Sequence, residues 1–210
     1  MADFRIERRL LKTGRTAIAG VDEVGRGALF GPVMAVALIF PARFYGPLRP
    51  AWTKKINDSK LLSPTKRMGL MKNILADALS VGVGAASNAE IDAGNVRWAS
   101  ELAMKRAIAN LLRRPDMVLI DGFPLKDVDY PQMGIRQGDR KSASIAAASI
   151  VAKVLRDGLM DVFDTACRGY GLARHKGYGT AGHYRAIREM GPTSLHRRSF
   201  NLKAGGSLNA

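Results

Sequence analysis

Among 210 residues there is one cysteine, Cys167, and only three histidines. A single thiol excludes an internal disulfide framework and a Cys-rich zinc site. Cys167 itself reads as a small buried hydrophobe. Acids are scarce too: 18 Asp and Glu stand against 33 Lys and Arg, a formal net charge of +15 and a pI near 10.4. That excess points to a polyanionic partner, nucleic acid ahead of an anionic membrane surface. No apolar run approaches the ~18 residues a membrane span requires. The opening "MADFRIERRLLKTGRTAIAG" lacks an apolar run followed by a small-residue cleavage site. The expected address is therefore cytoplasmic, away from membranes. No internal repeat and no low-complexity linker divides the chain. Its length suits one good core with a small appendage.

What is present alternates between strand and helix patterns. Thr16 to Val21 reads as a strand leading into Asp22 and Glu23, and "PVMAVALIFP" (Pro32 to Pro41) as a second strand, paired with it as a hairpin. A basic loop with turn signals follows. A helix then starts with Ser63 as N-cap and Pro64 at its first position, with Met68, Met71, Ile74 and Leu75 expected on its core face. "VGVGAAS" is a short strand. "NAEIDAGNVRWASELAMKRAIANLL" is helical, anchored by Ile91, Val96, Leu102, Ile108 and Leu111. "MVLIDG" is a strand ending in Asp121, "MGIRQGD" a strand candidate ending in Asp139, and "SASIAAASIVAKVLRD" a helix rich in small residues for close packing on a sheet. From Arg168 to Lys203 there are eight Arg or Lys and one acid, Glu189. The expected class is α/β, a mixed sheet flanked by helices with a small C-terminal helical appendage. The expected divisions are residues 1–15 as an N-terminal extension, 16–203 as the catalytic domain with its helical part from about 160, and 204–210 as a flexible tail.

Asp22-Glu23, Asp121 and Asp139 each fall at an expected strand end, where functional groups collect in open α/β sheets. Converging acids must either take up protons or be neutralised by a divalent cation. In so basic a protein the cation is the simpler explanation, and oxygen ligands alone suit Mg²⁺ or Mn²⁺. Neighbouring strand residues point to opposite faces. The strand is therefore expected to break at Glu23 if both acids serve one site. Gly25-Arg26-Gly27 follows at once. Its glycines allow backbone to approach a sugar or phosphate, and Arg26 can hold a phosphate or order the loop through an acid.

The motifs "GVDEVGRG", "NDSKLLSPTKR", "LIDG", "GDRKSASIAAASIVAKVLRD", "HKGYGT" and "GPTSLHRRSF" occur in the order found in type 2 ribonucleases H. From about Ala17 to Leu202 the chain closely resembles bacterial ribonuclease HII. The resemblance implies a ribonuclease H-like fold and a metal-dependent endonuclease using two Mn²⁺ or Mg²⁺ ions. Such an enzyme cuts the RNA strand of RNA–DNA hybrids and ribonucleotides embedded in duplex DNA, leaving 5′-phosphate and 3′-hydroxyl ends.

Carried over residue by residue, the resemblance makes Asp22, Glu23, Asp121 and Asp139 the catalytic, metal-holding acids. Gly25, Arg26 and Gly27 become the loop that inspects the ribose 2′-hydroxyl. Tyr178 becomes the junction-sensing residue, and the stretch Asp58, Ser59, Lys60 a contact to the nucleic-acid backbone. Ala28-Leu29-Phe30 stands where the family often has proline, and "GFPLKDVDY" after Asp121 is less typical. Asp157, about five helical turns beyond Asp139, reads as structural. His175, His183 and His196 read as structural or substrate contacts, since metal-activated water already supplies a nucleophile. "LHRRSF" is either a sequence-blind basic contact or a packing tail. A monomer is expected. Two other readings remain: a non-catalytic nucleic-acid-binding module, which would have lost one of the four acids, and ribonuclease HIII, which usually carries an additional N-terminal domain.

Overall fold

The computed structural model describes residues 2–47, 49–56 and 59–203. A five-stranded mixed sheet, in the order β3-β2-β1-β4-β5, carries the site. The strands are β1 (Ile18–Val24), β2 (Val33–Ile39), β3 (Ser80–Ala86), β4 (Met117–Asp121) and β5 (Gln132–Ile135). The first three form an antiparallel meander, whereas β4 and β5 join in parallel. The expected hairpin is thus β1–β2.

The central strands are apolar on both faces because helices cover both. On one side Ile18, Val36, Leu38 and Leu119 pack beneath α5 (Ala143–Ala166), α2 (Pro64–Asp77) and the N-terminal α1 (Arg5–Lys12). On the other, Ala19, Val21, Ala35, Ala37, Val118 and Ile120 meet α3 (Asn88–Ala93) and α4 (Val96–Ala109). The small residues of α5 let it lie close against β1, where Gly20 faces the Ser144 backbone. The N-terminal segment is built into this packing: Phe4 is buried against Phe40, and the Glu7 carboxylate accepts hydrogen bonds from the Ser142 hydroxyl and the Ser144 amide at the start of α5. A third cluster joins Leu29 and Phe30 to Met160, Tyr170, Leu172 and Ile187, fixing α6 (Leu172–His175) and α7 (Ala181–Met190) to the end of α5.

Three local expectations change. The core face of α2 is Arg67, Leu70, Met71 and Ile74, while Met68 and Leu75 are 44% and 45% exposed. Arg67 takes the inner position because its guanidinium donates to the Ser59 and Leu62 carbonyls and pairs with Asp157. Strand β5 stops at Ile135, so Asp139 sits instead in a single 3-10 turn, Gly138–Arg140, entered through Gln137 in a left-handed conformation. Helix α5 does not end at Asp157 but continues to Ala166. The segment 204–210, expected as a tail, lies outside the described residues.

Candidate active site

Strand β1 does not break at Glu23. It pairs regularly with β2 through Asp22, Glu23 and Val24, opposite Val36, Ala35 and Met34. The two acids converge by a different route. On the β4 side, parallel pairing ends with Val21 opposite Ile120, so β1 overhangs its neighbour. Asp22 hydrogen-bonds Ser149 of α5 and Glu23 borders a cleft with Ser100 and Glu101 of α4, and Asp121 lies just past the last rung. Carboxylate oxygens of Asp22, Glu23 and Asp121 all lie within 4.8 Å of one another. Asp121 is fixed by the Gly138 amide, which donates to its Oδ1 at 2.6 Å. Asp139 is not in this compact group, but it lines the same cavity of about 540 Å³.

The electrostatics are those of an overcrowded anionic site. Burial pushes the Asp22 carboxyl well above its usual range, and the charges of Glu23 and Asp121 push it further. Burial also raises Glu23, assisted by Asp121 and opposed by the Arg26 guanidinium. Arg26 Nη1 lies 3.2 Å from Glu23 Oε1, so the arginine orders its loop through an acid. Glu23 Oε2 is buried with no hydrogen-bond partner. Three convergent carboxylates, two destabilised as anions and one with an orphaned oxygen, fit a hard divalent cation held by oxygen.

Gly25, Arg26, Gly27, Ser59, Lys60 and Tyr178 all border this cavity. Asp58 lies outside the described residues. Gly25 has φ +92°, and a Cβ there would stand 2.1 Å from Arg156 Nε. Ser59 reaches the acids through Ser149: their hydroxyls are 3.0 Å apart, and Ser149 hydrogen-bonds Asp22. The Tyr178 ring is half-buried, with Lys153 Nζ 5.7 Å and Arg156 Cζ 5.5 Å from its centroid.

Ser149, Lys153, Arg156 and Arg197 were not singled out from the sequence. Arg156 is fully buried and donates to the carbonyls of Phe30, Pro32 and Lys176. Arg197, from "LHRRSF", is also buried; it donates to the carbonyls of Gly31 and Arg26 and is a packing residue. Burial and the neighbouring Arg156 push its guanidinium down to about 9. Arg197 thus ties the Gly25–Gly27 loop at Arg26, while Arg156 packs beneath Gly25 and joins Phe30 and Pro32 to Lys176.

The histidines cluster beneath Tyr178, with His183 and His196 fully buried. His183 Nδ1 bonds the Tyr178 carbonyl, its Nε2 is 3.2 Å from His196 Nε2, and its ring stacks on His175. Burial lowers both His183 and His196 from 6.5 to about 4. Below pH 6.5 the unfolded chain takes up these protons first. The pair therefore contributes stability that is complete above about pH 6.5 and is lost as pH falls toward 4. NMR titration of the ring protons is expected to show these two histidines neutral at pH 5.5; midpoints near 6.5 would mean that the pair is open to solvent.

A mixed sheet with carboxylates gathered where β1 overhangs β4, under a glycine-bounded loop, defines a nuclease of the ribonuclease H class. Residues 19–203 match the Ribonuclease HII family model. A Ribonuclease HII from Dehalococcoides mccartyi is 48% identical over 197 residues, covering 93% of this chain and 91% of that protein. One from Moorella thermoacetica is 49% identical over 194 residues, covering 92% and 91%. The fold matches ribonuclease H2 from Pyrococcus horikoshii with a TM-score of 0.71 at 22% identity, covering 89% of this chain and 94% of that one. It also matches Bst-RNase HIII, solved in complex with Mn²⁺, with a TM-score of 0.62 at 21% identity, covering 91% and 69%. The chain belongs to the ribonuclease HII family.

Proposed function

We propose that this chain hydrolyses the RNA strand of RNA–DNA hybrids and cuts duplex DNA at embedded ribonucleotides, with Asp22, Glu23, Asp121 and Asp139 as its catalytic acids. The observation that carries this reading is the convergence of three carboxylates in a cavity also bordered by Gly25–Gly27 and Tyr178. Asp22, Glu23 and Asp121 would hold Mg²⁺ or Mn²⁺, with Asp139 available from the cavity wall. When bound, such ions supply Lewis-acid polarisation of the phosphate and activation of water at neutral pH. Water attacks phosphorus in line and the bond to the 3′ oxygen breaks, leaving a 3′-hydroxyl and a 5′-phosphate.

The protein's own part is recognition and placement. Gly25 and Gly27 bring backbone polar groups close to the ribose, and the Tyr178 hydroxyl reaches the same nucleotide. A 2′-hydroxyl is donor and acceptor and can satisfy both; deoxyribose leaves them unpaired. Ser59, Lys60 and Lys153 border the cavity where the sugar–phosphate backbone would run. One chain supplies every group, which suits a monomer. Among the described residues no helix is long and apolar enough to cross a membrane, and a cytoplasmic nuclease is the proposed setting.

The test is cleavage of a DNA duplex containing one ribonucleotide, with an all-DNA control. Tyr178→Phe is expected to slow cleavage by about tenfold, and Tyr178→Ala further through loss of the ring. Gly27→Ala is a clean companion, because an added Cβ meets no protein atom within 4 Å. Only the approaching sugar would feel it, and metal affinity should be unchanged. A wild-type rate for Tyr178→Ala would remove Tyr178 from ribose recognition.

A further inference from the structure

Two residues beyond Asp121 the chain presents an aromatic ring to solvent: Phe123 is 59% exposed. It lies in "GFPLKDVDY", the segment that departs from the family pattern. The ring is not on a loose loop. Pro124 is seated over β5 at Gly134, where a Cβ would stand 2.5 Å from the proline Cδ. The next residue, Leu125, is buried, and the Gln132 side chain accepts from its amide and donates to its carbonyl, both at 2.8 Å. Phe123 is therefore held between the anchored Asp121 on one side and this clamp on the other.

Arg136 places its guanidinium 5.1 Å from the Phe123 ring centroid. Lys141 Nζ donates to the Arg136 backbone carbonyl. Beside the ring runs a second cleft of about 180 Å³, bordered by Glu23, Arg26, Asp121, Gly122 and Phe123. It lies on the α4 side of the sheet, across the carboxylates from the cavity that holds Tyr178. Glu23 and Asp121 border both openings, and Asp22 borders the larger one.

We propose that Phe123 and Arg136 form a second nucleic-acid contact, on the side of the cut opposite Tyr178. The ring lies against the sugar–base face of a flanking nucleotide and Arg136 engages an adjacent phosphate. A rigid exposed ring with a guanidinium beside it is a sequence-tolerant surface for nucleotides. Nucleic acid is favoured over a protein partner by the guanidinium on the ring and by continuity with the carboxylate site, which a bound strand must cross. Arg136 and Phe123 would then define how the strand leaves the site, whereas Tyr178 defines which nucleotide is cut.

This inference rests on the proposed function, and binding is measured separately from cleavage to keep the two apart. Phe123→Trp is titrated with an RNA–DNA hybrid in EDTA, against the parent chain, whose own tryptophans are Trp52 and Trp98. The added fluorescence is expected to be quenched as hybrid binds. Phe123→Ala should weaken hybrid binding by about tenfold. Arg136→Ala should reduce the slope of log affinity against log salt by about one unit. Parental affinity in Phe123→Ala, or an unquenched tryptophan, overturns the inference even if cleavage is normal. If the parent chain binds hybrid without cutting it, the proposed function fails while these binding results still decide the role of Phe123.

Discussion

Asp121→Asn is expected to fold as the parent does and to lose more than about 10³-fold in cleavage rate. Removing one preorganised electrostatic group from an active site already costs ~10²–10³-fold, and here a full charge and a cation ligand are lost together. The fold should not suffer. The amide oxygen of asparagine can still accept from the Gly138 amide, the bond that now fixes Asp121 Oδ1. A charge also disappears from a cluster where Asp121 helps push both Asp22 and Glu23 up. Those two acids should relax toward their ordinary range, leaving the cation-free protein equally stable or more so. The checks are kcat on a single-ribonucleotide duplex at saturating Mg²⁺, and Tm with and without the ion. The parent should gain Tm on adding Mg²⁺ and the variant much less, since only a ligand that binds the native state stabilises it. Normal turnover, or an undiminished Mg²⁺ effect on Tm, would remove Asp121 from the cation site.

The acids were legible in the sequence because each interrupts an apolar run. Asp22 and Glu23 close a strand pattern, and Asp121 closes "MVLID". How Asp22 and Glu23 meet was not legible. An overhang between parallel strands depends on where β4 stops relative to β1, a tertiary fact with no local signature, so a break in β1 was expected where none occurs. Asp139 was misplaced for a similar reason: one left-handed residue, Gln137, diverts the chain into a 3-10 turn, and glutamine carries no turn signal. Arg67, Arg156 and Arg197 were invisible as interior groups. In a chain with 33 Lys and Arg, any one of them looks like surface charge. Each is buried where its guanidinium donates to backbone carbonyls. Ser149 was concealed in the small-residue run of α5, where it looked like a packing residue and in fact also hydrogen-bonds Asp22.

The second large effect is expected where the glycine loop meets a buried arginine. Arg156→Ala should cost about 3 kcal/mol or more of stability, since a large buried side chain is lost and the carbonyls of Phe30, buried, and of Pro32 and Lys176, partly buried, lose a donor. Arg156→Lys should recover little of the hydrogen bonding, because an ammonium cannot reproduce the guanidinium fork. Gly25→Ala should be costly for two reasons. Its φ of +92° is strained for any residue with a Cβ, and that Cβ would stand 2.1 Å from Arg156 Nε. Only the first reason survives once the side chain is cut back to Cβ, as in Arg156→Ala, because the clashing atoms are Arg156 Cδ, Nε and Cζ. The double variant Gly25→Ala/Arg156→Ala should therefore lose less stability than the sum of the single variants, by about 1 kcal/mol or more. Each single variant should also slow cleavage, because shifting the Gly25–Gly27 backbone by about 1 Å is enough to spoil placement of the reacting group. Urea unfolding of the four proteins, with cleavage measured on the same samples, gives the cycle. Strict additivity would mean that Arg156 does not hold the loop against the site.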